Sequence, residues 1–296
     1  MVANSGAGSR FRQAVREEKP LQVVGTVNAY AAVMAEKVGF RALYLSGAGA
    51  ANASFGLPDL GMTTPGDVLE DVRRITGASS LPLLVDIDTG FGGALMIGRT
   101  VREMCRAGAA GVHIEDQVAE KRCGHRPGKR VVGAEEMADR IKAAVDGRTN
   151  RDFVIMARTD AVAAEGLEAA LGRACRYRDA GADMLFPEAL GSLDQYRRFA
   201  ETVGIPVLAN MTEFGVTPLY TVRELAGAKV SLVLYPLSAF RAMSAAALKV
   251  FRTIRDEGTQ KALLDSMQSR EELYDFLDYL NFERKLDSFF AKEEKS

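Results

Sequence analysis

Tryptophan is absent from this 296-residue sequence, and histidine and cysteine are scarce, with two and three copies. The three cysteines are scattered and odd in number, which argues against a disulfide framework and leads us to expect a reducing, cytoplasmic setting. No apolar stretch reaches the roughly 18 residues of a membrane-spanning helix, and no cationic and apolar signal segment stands at the start. We therefore expect no membrane partner.

An excess of charge of one sign is also missing. The 38 basic and 39 acidic residues leave a net charge of −1, whereas nucleic acids and anionic membranes attract proteins with clustered positive charge. Neither is expected as a partner. With 47% apolar residues and no low-complexity tract, the chain can bury one large core.

What the sequence does contain is a repeated order of patterns. A short apolar run ends in polar residues, and an amphipathic stretch with helical spacing follows before the next run. Eight such runs predict strands at 21–27, 42–45, 81–85, 111–114, 153–157, 184–186, 205–208 and 230–234. Helices are predicted at 31–36, 65–75, 95–107, 134–145, 167–180, 193–202, 218–225 and 238–256.

Alternating strands and helices indicate a parallel sheet, and eight repeats indicate a closed (β/α)8 TIM-type barrel of roughly 250 residues. An open, doubly wound sheet is the alternative, but no G-x-G-x-x-G sequence follows the first strand. We expect a single barrel domain over 1–296, with 257–296 as a C-terminal helical extension. The Gly- and Ser-containing start, 2–9, is expected to be a frayed end.

The predicted extension has an N-cap at Ser269, followed by acidic residues in the first turn. From Tyr274 to Phe290 its apolar side chains form a stripe that is too wide for one barrel face. This width favours packing on a neighbouring subunit of a homo-oligomer rather than only on the chain's own barrel.

Polar residues follow the predicted strands at their carboxyl ends, which share one face of a barrel and hold its active site. These ends carry Ser46, Asp86, Asp88, Glu115, Arg158, Glu188 and Asn210. A single polar end is explained by the strand reaching water. Four carboxylates and an arginine on successive strands instead indicate a site.

Asp86 and Asp88 flank Ile87, and alternation would point both carboxylates to one face of the strand. Glu115 ends the next strand and can approach the same spot. Oxygen ligands without converging histidines suit Mg²⁺ or Mn²⁺, which would retain waters and bind an anionic substrate. Ordinary solvated acids are the alternative.

Both histidines lie in the stretch 109–127, together with a cysteine. Cys123 stands between Arg122 and Gly124, and cations near a thiol favour the reactive thiolate. The glycine, and Pro127-Gly128 shortly after it, predict a loop that can hinge. A surface loop with a chance cysteine is the alternative.

Residues 121–125, Lys-Arg-Cys-Gly-His, resemble the K-[KR]-C-G-H signature of the isocitrate lyase and phosphoenolpyruvate mutase superfamily. The resemblance covers about 11–290 and includes Y-L-S-G (44–47), V-D-x-D-x-G-F-G (85–92), H-I-E-D-Q (113–117), A-R-T-D (157–160) and L-F-P-E (185–188). It implies a metal-dependent lyase that breaks a carbon–carbon bond in a small tricarboxylate and assembles as a homotetramer.

The resemblance also assigns roles. It places Mg²⁺ at Asp86 and Asp88 with Glu115 near its waters, makes Cys123 the general acid, and leaves Tyr44 as the candidate base. The superfamily's substrate contacts correspond here to Ser46, Gly47, Ala48, Arg122, Gly124, His125, Arg158, Glu188, Asn210, Thr212, Arg241 and Arg270. At Ala48 the superfamily commonly has glycine.

Substrate choice has a physical basis at one position. Isocitrate lyases carry a tryptophan where Phe186 stands, and they have the two-lysine form of the signature. The smaller phenyl ring, with Leu234 and Pro236, would leave room for an additional methyl group, worth roughly 1–3 kcal/mol in discrimination. A methyl-substituted isocitrate is therefore the expected substrate, and isocitrate or a related 2-hydroxy acid is the alternative.

Two other functions are compatible with parts of the sequence. Lys121 could form the Schiff base of a metal-free aldolase, although its predicted loop position offers little desolvation. The chain could also be a non-catalytic barrel that binds organic acids, or that binds partners through its C-terminal helix.

Overall fold

Eight strands run through the centre of the first part of the chain. The computed structural model describes residues 6–290. The strands are Leu21–Gly25 (β1), Leu43–Leu45 (β2), Leu83–Asp86 (β3), Gly111–Glu115 (β4), Val154–Thr159 (β5), Met184–Pro187 (β6), Leu208–Asn210 (β7) and Leu232–Tyr235 (β8). Neighbours pair in parallel in the order β6-β5-β4-β3-β2-β1-β8-β7. All eight predicted strands are thus confirmed.

The two outer strands of this order, β6 and β7, meet through a parallel bridge between Leu185 and Val207. The amide of Leu185 also donates to the carbonyl of Pro206 at 2.9 Å. These contacts close the sheet on itself, so the predicted (β/α)8 barrel is confirmed. The open, doubly wound alternative is excluded, because such a sheet keeps two free edges.

Helices alternate with the strands along the chain. They are α1 (Ala7–Glu17), α2 (Ala29–Val38), α3 (Gly47–Gly49), α4 (Pro65–Ala78), α5 (Ala94–Arg106), α6 (Ala134–Gly147), α7 (Ala161–Glu165), α8 (Leu167–Asp179), α9 (Leu193–Val203), α10 (Val222–Gly227), α11 (Ser238–Glu257), α12 (Arg270–Phe276) and α13 (Tyr279–Phe290). A π-helical turn, Ala50–Ser54, continues α3, and a 3₁₀ turn occupies Lys261–Ser266. Within 6–290, no helix is long and apolar enough to cross a membrane.

The amino-terminal prediction was wrong where the structure describes it. Helix α1 begins at Ala7, inside the stretch expected to fray, and its side chain Phe11 is fully buried. Residues 2–5 lie outside the described part of the chain. The buried face of α1 includes the small residues Gly8 and Ala14, so the apolar pattern was too weak to predict that this helix packs in the core.

The helix predicted from 218 begins only at Val222. Thr221 caps it, since its hydroxyl accepts a hydrogen bond from the amide of Glu224 while the Glu224 carboxylate bonds back to the cap. This capping box satisfies the amides that a helix start leaves unpaired, and it sets the start later than the apolar pattern suggested.

The strand side chains divide into two sets by alternation. One set points into the barrel and forms an inner apolar cluster, and the other packs against the surrounding helices. The inner cluster contains Leu21, Val23, Tyr44, Leu84, Val154, Met156, Met184, Phe186, Leu208, Leu232 and Leu234, joined by Phe11, Ala14 and Val15 of α1. Helix α1 therefore fills the amino-terminal end of the barrel, which leaves the carboxyl-terminal end for polar side chains.

The chain divides into two compact units, Met1–Phe240 and Arg241–Ser296. The division falls within α11, before the extension predicted from 257, and the single-domain organisation stays a prediction. In the second unit the expected N-cap is present, because the side chain of Ser269 accepts from the amide of Glu272. The helical stretch expected beyond it is interrupted at Asp278, whose φ of 55° separates α12 from α13.

Candidate active site

The buried polar side chains at the barrel mouth continue the alternation of the inner core. In several strands an inward-facing apolar side chain is followed two residues later by an inward-facing polar one. The alternation that fills the core therefore also places polar side chains at the carboxyl-terminal mouth. The pairs are Leu84 with Asp86, Met156 with Arg158, Phe186 with Glu188, and Leu208 with Asn210. All four polar side chains are buried. The structure thus brings together the polar strand ends that the sequence singled out.

Asp86 and Asp88 turn their carboxylates toward one point beside the backbone of Gly47. A side-chain carbon at position 47 would lie 3.1 Å from Oδ2 of Asp86 and 3.0 Å from Oδ1 of Asp88. The Gly47 amide donates to Oδ2 of Asp86 at 3.0 Å. The backbone at Gly47, expected from the resemblance to contact substrate, thus binds the Asp86 carboxylate.

The donor set of this carboxylate pair fits a hard divalent cation. Burial and the charge of Asp86 raise the pKa of Asp88 to about 6, and a cation between the two carboxylates would relieve their repulsion. No group of three or more His, Cys, Asp and Glu side chains in the described part of the chain is arranged to enclose a metal. Mg²⁺ commonly takes only one or two carboxylates and completes its octahedron with waters and substrate oxygens.

Glu115 lies beside Arg158, 3.4 Å from Nε to Oε2. Its other oxygen, Oε1, is buried without a hydrogen-bond partner. Burial raises the pKa of this carboxyl well above its ordinary value, against the opposing charge of Arg158. Its place near the waters of a metal stays a prediction.

Tyr44 and His113 stack inside the barrel, with ring centroids 5.7 Å apart. The Tyr44 hydroxyl lies 2.9 Å from Nε2 of His113 and donates to Oδ2 of Asp86 at 3.4 Å. Burial lowers the pKa of His113 to about 4 against the opposing Asp86 charge, so the imidazole is neutral at pH 7. Burial, reinforced by Asp86, raises the pKa of the Tyr44 hydroxyl.

Arg158 is the cation at the centre of the mouth. Its guanidinium bonds Asp160, with Nε 3.0 Å from Oδ2, and it lies 3.3 Å from Oε2 of Glu188. It also covers the ring of Phe186 at 5.2 Å from the centroid. Burial opposes ionisation of Glu188, but the charge of Arg158 and the hydrogen bond from His125 hold its pKa below the ordinary value.

A loop of residues 117–131 connects β4 with α6 and is closed at its base like a hairpin. Gln117 and Val131 form an antiparallel bridge, and the amide of Val118 donates to the carbonyl of Arg130 at 3.1 Å. This loop contains the cysteine predicted to be reactive.

The tip of loop 117–131 contacts the buried side chains of the mouth. Nδ1 of His125 accepts a hydrogen bond from the amide of Val216 at 3.1 Å. The ring proton is therefore on Nε2, which donates to Oε1 of Glu188, 3.1 Å away. Gly124 lies so close that a side-chain carbon there would be 2.5 Å from both Arg158 and Glu188. Only glycine allows this approach, and the loop lies closed over the mouth.

Lys121 is nearly fully buried, although a loop position suggested little desolvation. Its ammonium lies 2.7 Å from Oδ1 of Asp88 and also contacts Asp59. Burial opposes the charge, but the carboxylates of Asp88, Glu115 and Asp59 raise the pKa of Lys121. An amine held as ammonium is a poor nucleophile, which argues against the Schiff-base alternative.

The remaining predicted contacts fall into two groups. Ser46 and Thr212 are buried, Ala48 and Cys123 are half-buried, and Arg122 is exposed. Arg122 donates to the carbonyl of Pro127 within its own loop at 3.4 Å. Arg241 and Arg270 belong to the second unit, and their contact with substrate stays a prediction.

Three charged residues of the mouth did not stand out in the sequence. Asp160 bonds Arg158, and Lys129 lies 2.7 Å from Asp160. Asp160 is two residues after Arg158 in the A-R-T-D motif, and this spacing could have identified it. Lys129 and Asp59 lie in irregular segments without a periodic pattern, so no sequence feature marked them.

Comparisons with known proteins show which sequences and solved structures this chain resembles. Residues 11–255 match the family described as phosphoenolpyruvate phosphomutase. A 2-methylisocitrate lyase of Shewanella oneidensis is 62% identical over 287 residues, which are 97% of this chain and 98% of that protein. A solved 2,3-dimethylmalate lyase has a TM-score of 0.88 at 33% identity, over 96% of this chain and 95% of that one. A solved complex of phosphonopyruvate hydrolase with oxalate and Mg²⁺ has a TM-score of 0.83 at 28% identity, over 95% and 98%.

Proposed function

The chain belongs to the phosphoenolpyruvate phosphomutase family, and from this membership we propose that it is a carbon–carbon lyase that cleaves 2-methylisocitrate to pyruvate and succinate. The observation that carries the proposal is the 62% identity, over nearly the whole of both chains, to the 2-methylisocitrate lyase of Shewanella oneidensis. The buried arginine at the barrel mouth suits a carboxylate of a small polyanion, and the buried carboxylates suit the cation that such an anion would bind.

Arg158 binds a substrate carboxylate in this proposal through its remaining N–H donors, because Nε and Nη2 already bond the carboxylate of Asp160. Glu188 and Asn210 face it and accept or donate hydrogen bonds to the remaining polar groups. Ser46, Gly47, Ala48, Thr212 and the loop residues Arg122, Gly124 and His125 complete the proposed contacts in this unit. Arg241 and Arg270 are proposed contacts from the second unit.

Asp86 and Asp88 hold Mg²⁺ in the proposal, with Glu115 near its waters, and Mn²⁺ is a possible substitute. Magnesium, when bound, lowers the pKa of the substrate hydroxyl and stabilises negative charge on the oxygen that becomes the ketone of pyruvate. A solved relative of the same fold contains oxalate and Mg²⁺, which supports this choice of metal.

Protons move at two points of the cleavage. Tyr44 takes the proton of the substrate hydroxyl while its own hydroxyl proton passes to Nε2 of the neutral His113, 2.9 Å away. The bond between the hydroxyl-bearing carbon and its neighbour then breaks, and its electron pair goes to the carbon of the departing succinate. Cys123 protonates that carbon as the general acid. The closed loop excludes water from the mouth while this happens.

The size of the side chain at position 186 supports the methylated substrate. Phe186 is buried, edge-on to His113 with centroids 5.3 Å apart. A tryptophan there would need more of the same space, so the phenyl ring leaves room for the methyl group. Cleavage of unmethylated isocitrate to succinate and glyoxylate is the second candidate reaction.

The cellular setting and assembly are further parts of the proposal. In this proposal the chain acts in the catabolism of propionate, in the cytoplasm. A homotetramer is supported by the apolar side chains that α13 exposes, including Leu280, Phe282 and Phe289. Deleting residues 269–296 should then lower the oligomer mass measured by light scattering, and an unchanged mass would remove this support.

Product analysis tests the proposed reaction. Protein, Mg²⁺ and 2-methylisocitrate are incubated, and pyruvate and succinate are quantified by chromatography; equal molar amounts of both are expected.

The same incubation with borohydride tests the Schiff-base alternative, which predicts loss of activity and a covalent adduct at Lys121. Absence of both products would contradict the proposal and favour a non-catalytic barrel.

A further inference from the structure

The base of loop 117–131 is held by a buried polar network on α8. Asp116, which lies between β4 and loop 117–131, accepts three hydrogen bonds. They come from the hydroxyl of Thr159 at 2.7 Å, the amide of Asp160 at 2.8 Å and the hydroxyl of Tyr177 at 2.9 Å. Asp116 and Tyr177 are both fully buried, so the bonds between them face no competition from water.

The other end of the same loop is bound from the same helix. Arg173, one turn before Tyr177, donates through one terminal nitrogen to the carbonyl of Val132 at 2.8 Å and to the Tyr177 hydroxyl at 3.1 Å. The Nε of Arg173 donates to Glu165 at 2.7 Å, which fixes the guanidinium. The amide of Val132 in turn donates to the carbonyl of Asp116 at 2.8 Å.

We propose that Tyr177 and Arg173 are positioning residues that hold both ends of loop 117–131 so that Cys123 meets the substrate at the barrel mouth. Tyr177 binds the start of the loop through Asp116, and Arg173 binds its end through Val132. Neither side chain belongs to the mouth itself. The catalytic consequence rests on the proposed lyase function, whereas the anchoring of the loop does not.

Asp116 also links this anchor to the substrate-binding charge. Its Oδ1 accepts from the backbone of Asp160, and the carboxylate of Asp160 binds both Arg158 and the loop residue Lys129. A displacement of Asp116 would therefore reach the loop at two places, its base and Lys129. Burial and the neighbouring Asp116 raise the pKa of the Tyr177 hydroxyl, which keeps its proton and remains a donor.

The test compares Tyr177→Phe with Tyr196→Phe. Both tyrosines are fully buried, but Tyr196 lies on α9, outside the network, and serves as the matched control. Limited trypsin digestion without substrate measures opening of the loop through cleavage after the exposed Arg122, identified by mass spectrometry. Loss of a hydrogen bond to a carboxylate should speed this cleavage about tenfold in Tyr177→Phe and leave it unchanged in Tyr196→Phe.

Kinetics with 2-methylisocitrate form the second measurement. Tyr177→Phe should lower kcat about tenfold with KM changed less than about threefold, since proton delivery by Cys123 suffers more than ground-state binding. Arg173→Met should show the same split, and the double variant should lose no more than the larger single loss, because both act on one loop.

The outcomes separate the two proposals. Faster loop cleavage with the kcat loss supports the positioning role. Unchanged cleavage in Tyr177→Phe overturns it, because the loop would then not depend on this hydrogen bond. Cleavage and kcat that change as much in Tyr196→Phe as in Tyr177→Phe also overturn it, because a general loss of stability would then explain the data. If the wild-type protein has no lyase activity, the proposed function fails, and the cleavage rates alone decide whether α8 anchors the loop.

Discussion

The guanidinium of Arg158 lies 3.3 Å from the carboxylate of Glu188, and both side chains are buried at the barrel mouth. Asp160 bonds the same guanidinium at 3.0 Å, so the arginine is fixed in orientation before any ligand arrives. Fixed orientation reduces the entropy that binding would otherwise cost. We therefore expect its fork of donors, and not only its charge, to matter.

Arg158→Lys should raise the KM for 2-methylisocitrate about 10- to 100-fold, because an ammonium keeps the charge and loses the bidentate geometry. Steady-state kinetics measure this change. Arg148→Lys is the control, since Arg148 forms a comparable ion pair with Asp183 at 3.0 Å, at the start of β6 and away from the mouth. Similar KM values for wild type and Arg158→Lys would show that the fork does not bind substrate.

Cys123→Ser should lower kcat about 10²- to 10⁴-fold, because a serine hydroxyl is a much weaker acid than the thiol. The fold and Mg²⁺ binding should remain, as the Cys123 side chain is half-buried and lies in a loop outside the strands and helices. Circular dichroism and calorimetric Mg²⁺ titration check both points. Cys175→Ser, a half-buried cysteine on α8, should keep wild-type turnover; retained turnover in Cys123→Ser would refute the acid role.

Asp88→Asn should raise the Mg²⁺ concentration for half-maximal activity at least about tenfold, because one of the two charged ligands is lost. Asparagine is chosen since the backbone of Asp88 has a φ of 48°, in the left-handed region that Asn tolerates better than Ala. Activity is titrated against Mg²⁺.

The control for this variant is Asp71→Asn. Asp71 is a buried carboxylate on α4 that accepts from the Ser54 hydroxyl at 2.7 Å, so the substitution removes a buried charge elsewhere in the same unit. Its Mg²⁺ requirement should equal that of the wild type. Full activity of Asp88→Asn in chelator would refute the metal assignment.

Phe186→Trp should reduce kcat/KM for 2-methylisocitrate at least about tenfold more than for isocitrate, because the larger ring takes the space of the methyl group. The two substrates are compared on one protein preparation, so a general loss of stability affects both alike. Equal losses would place the methyl pocket elsewhere in the barrel.

The barrel and the carboxyl-terminal polar ends could be predicted from the sequence because both depend on local alternation. Strand side chains repeat every two residues, so the inward Leu84 predicts the inward Asp86, and a parallel sheet places all such ends at one mouth. The same argument located Arg158, Glu188 and Asn210. Gly124 was singled out by the Lys-Arg-Cys-Gly-His motif. The structure explains why this position needs glycine, because a side-chain carbon there would lie 2.5 Å from Arg158.

Other parts of the site depend on contacts between segments that no periodic pattern connects. The ion pair of Lys121 with Asp59 joins two loops that are 62 residues apart. The network of Asp116, Tyr177 and Arg173 joins a strand end to a helix whose sequence reads only as amphipathic. The start of α1 was missed for a different reason, since its buried stripe of Gly8, Phe11, Ala14 and Val15 includes two residues that are too small to mark an apolar face.

Keto-acid formation from two substrates tests the proposed metal-dependent cleavage of 2-methylisocitrate. Initial rates are recorded with 2-methylisocitrate and, separately, with isocitrate, at saturating Mg²⁺ and again with EDTA. The proposed lyase function predicts rapid formation of pyruvate, little glyoxylate, and loss of both when EDTA removes the metal. Glyoxylate formed as fast as pyruvate, or pyruvate formed equally well in EDTA, would contradict it.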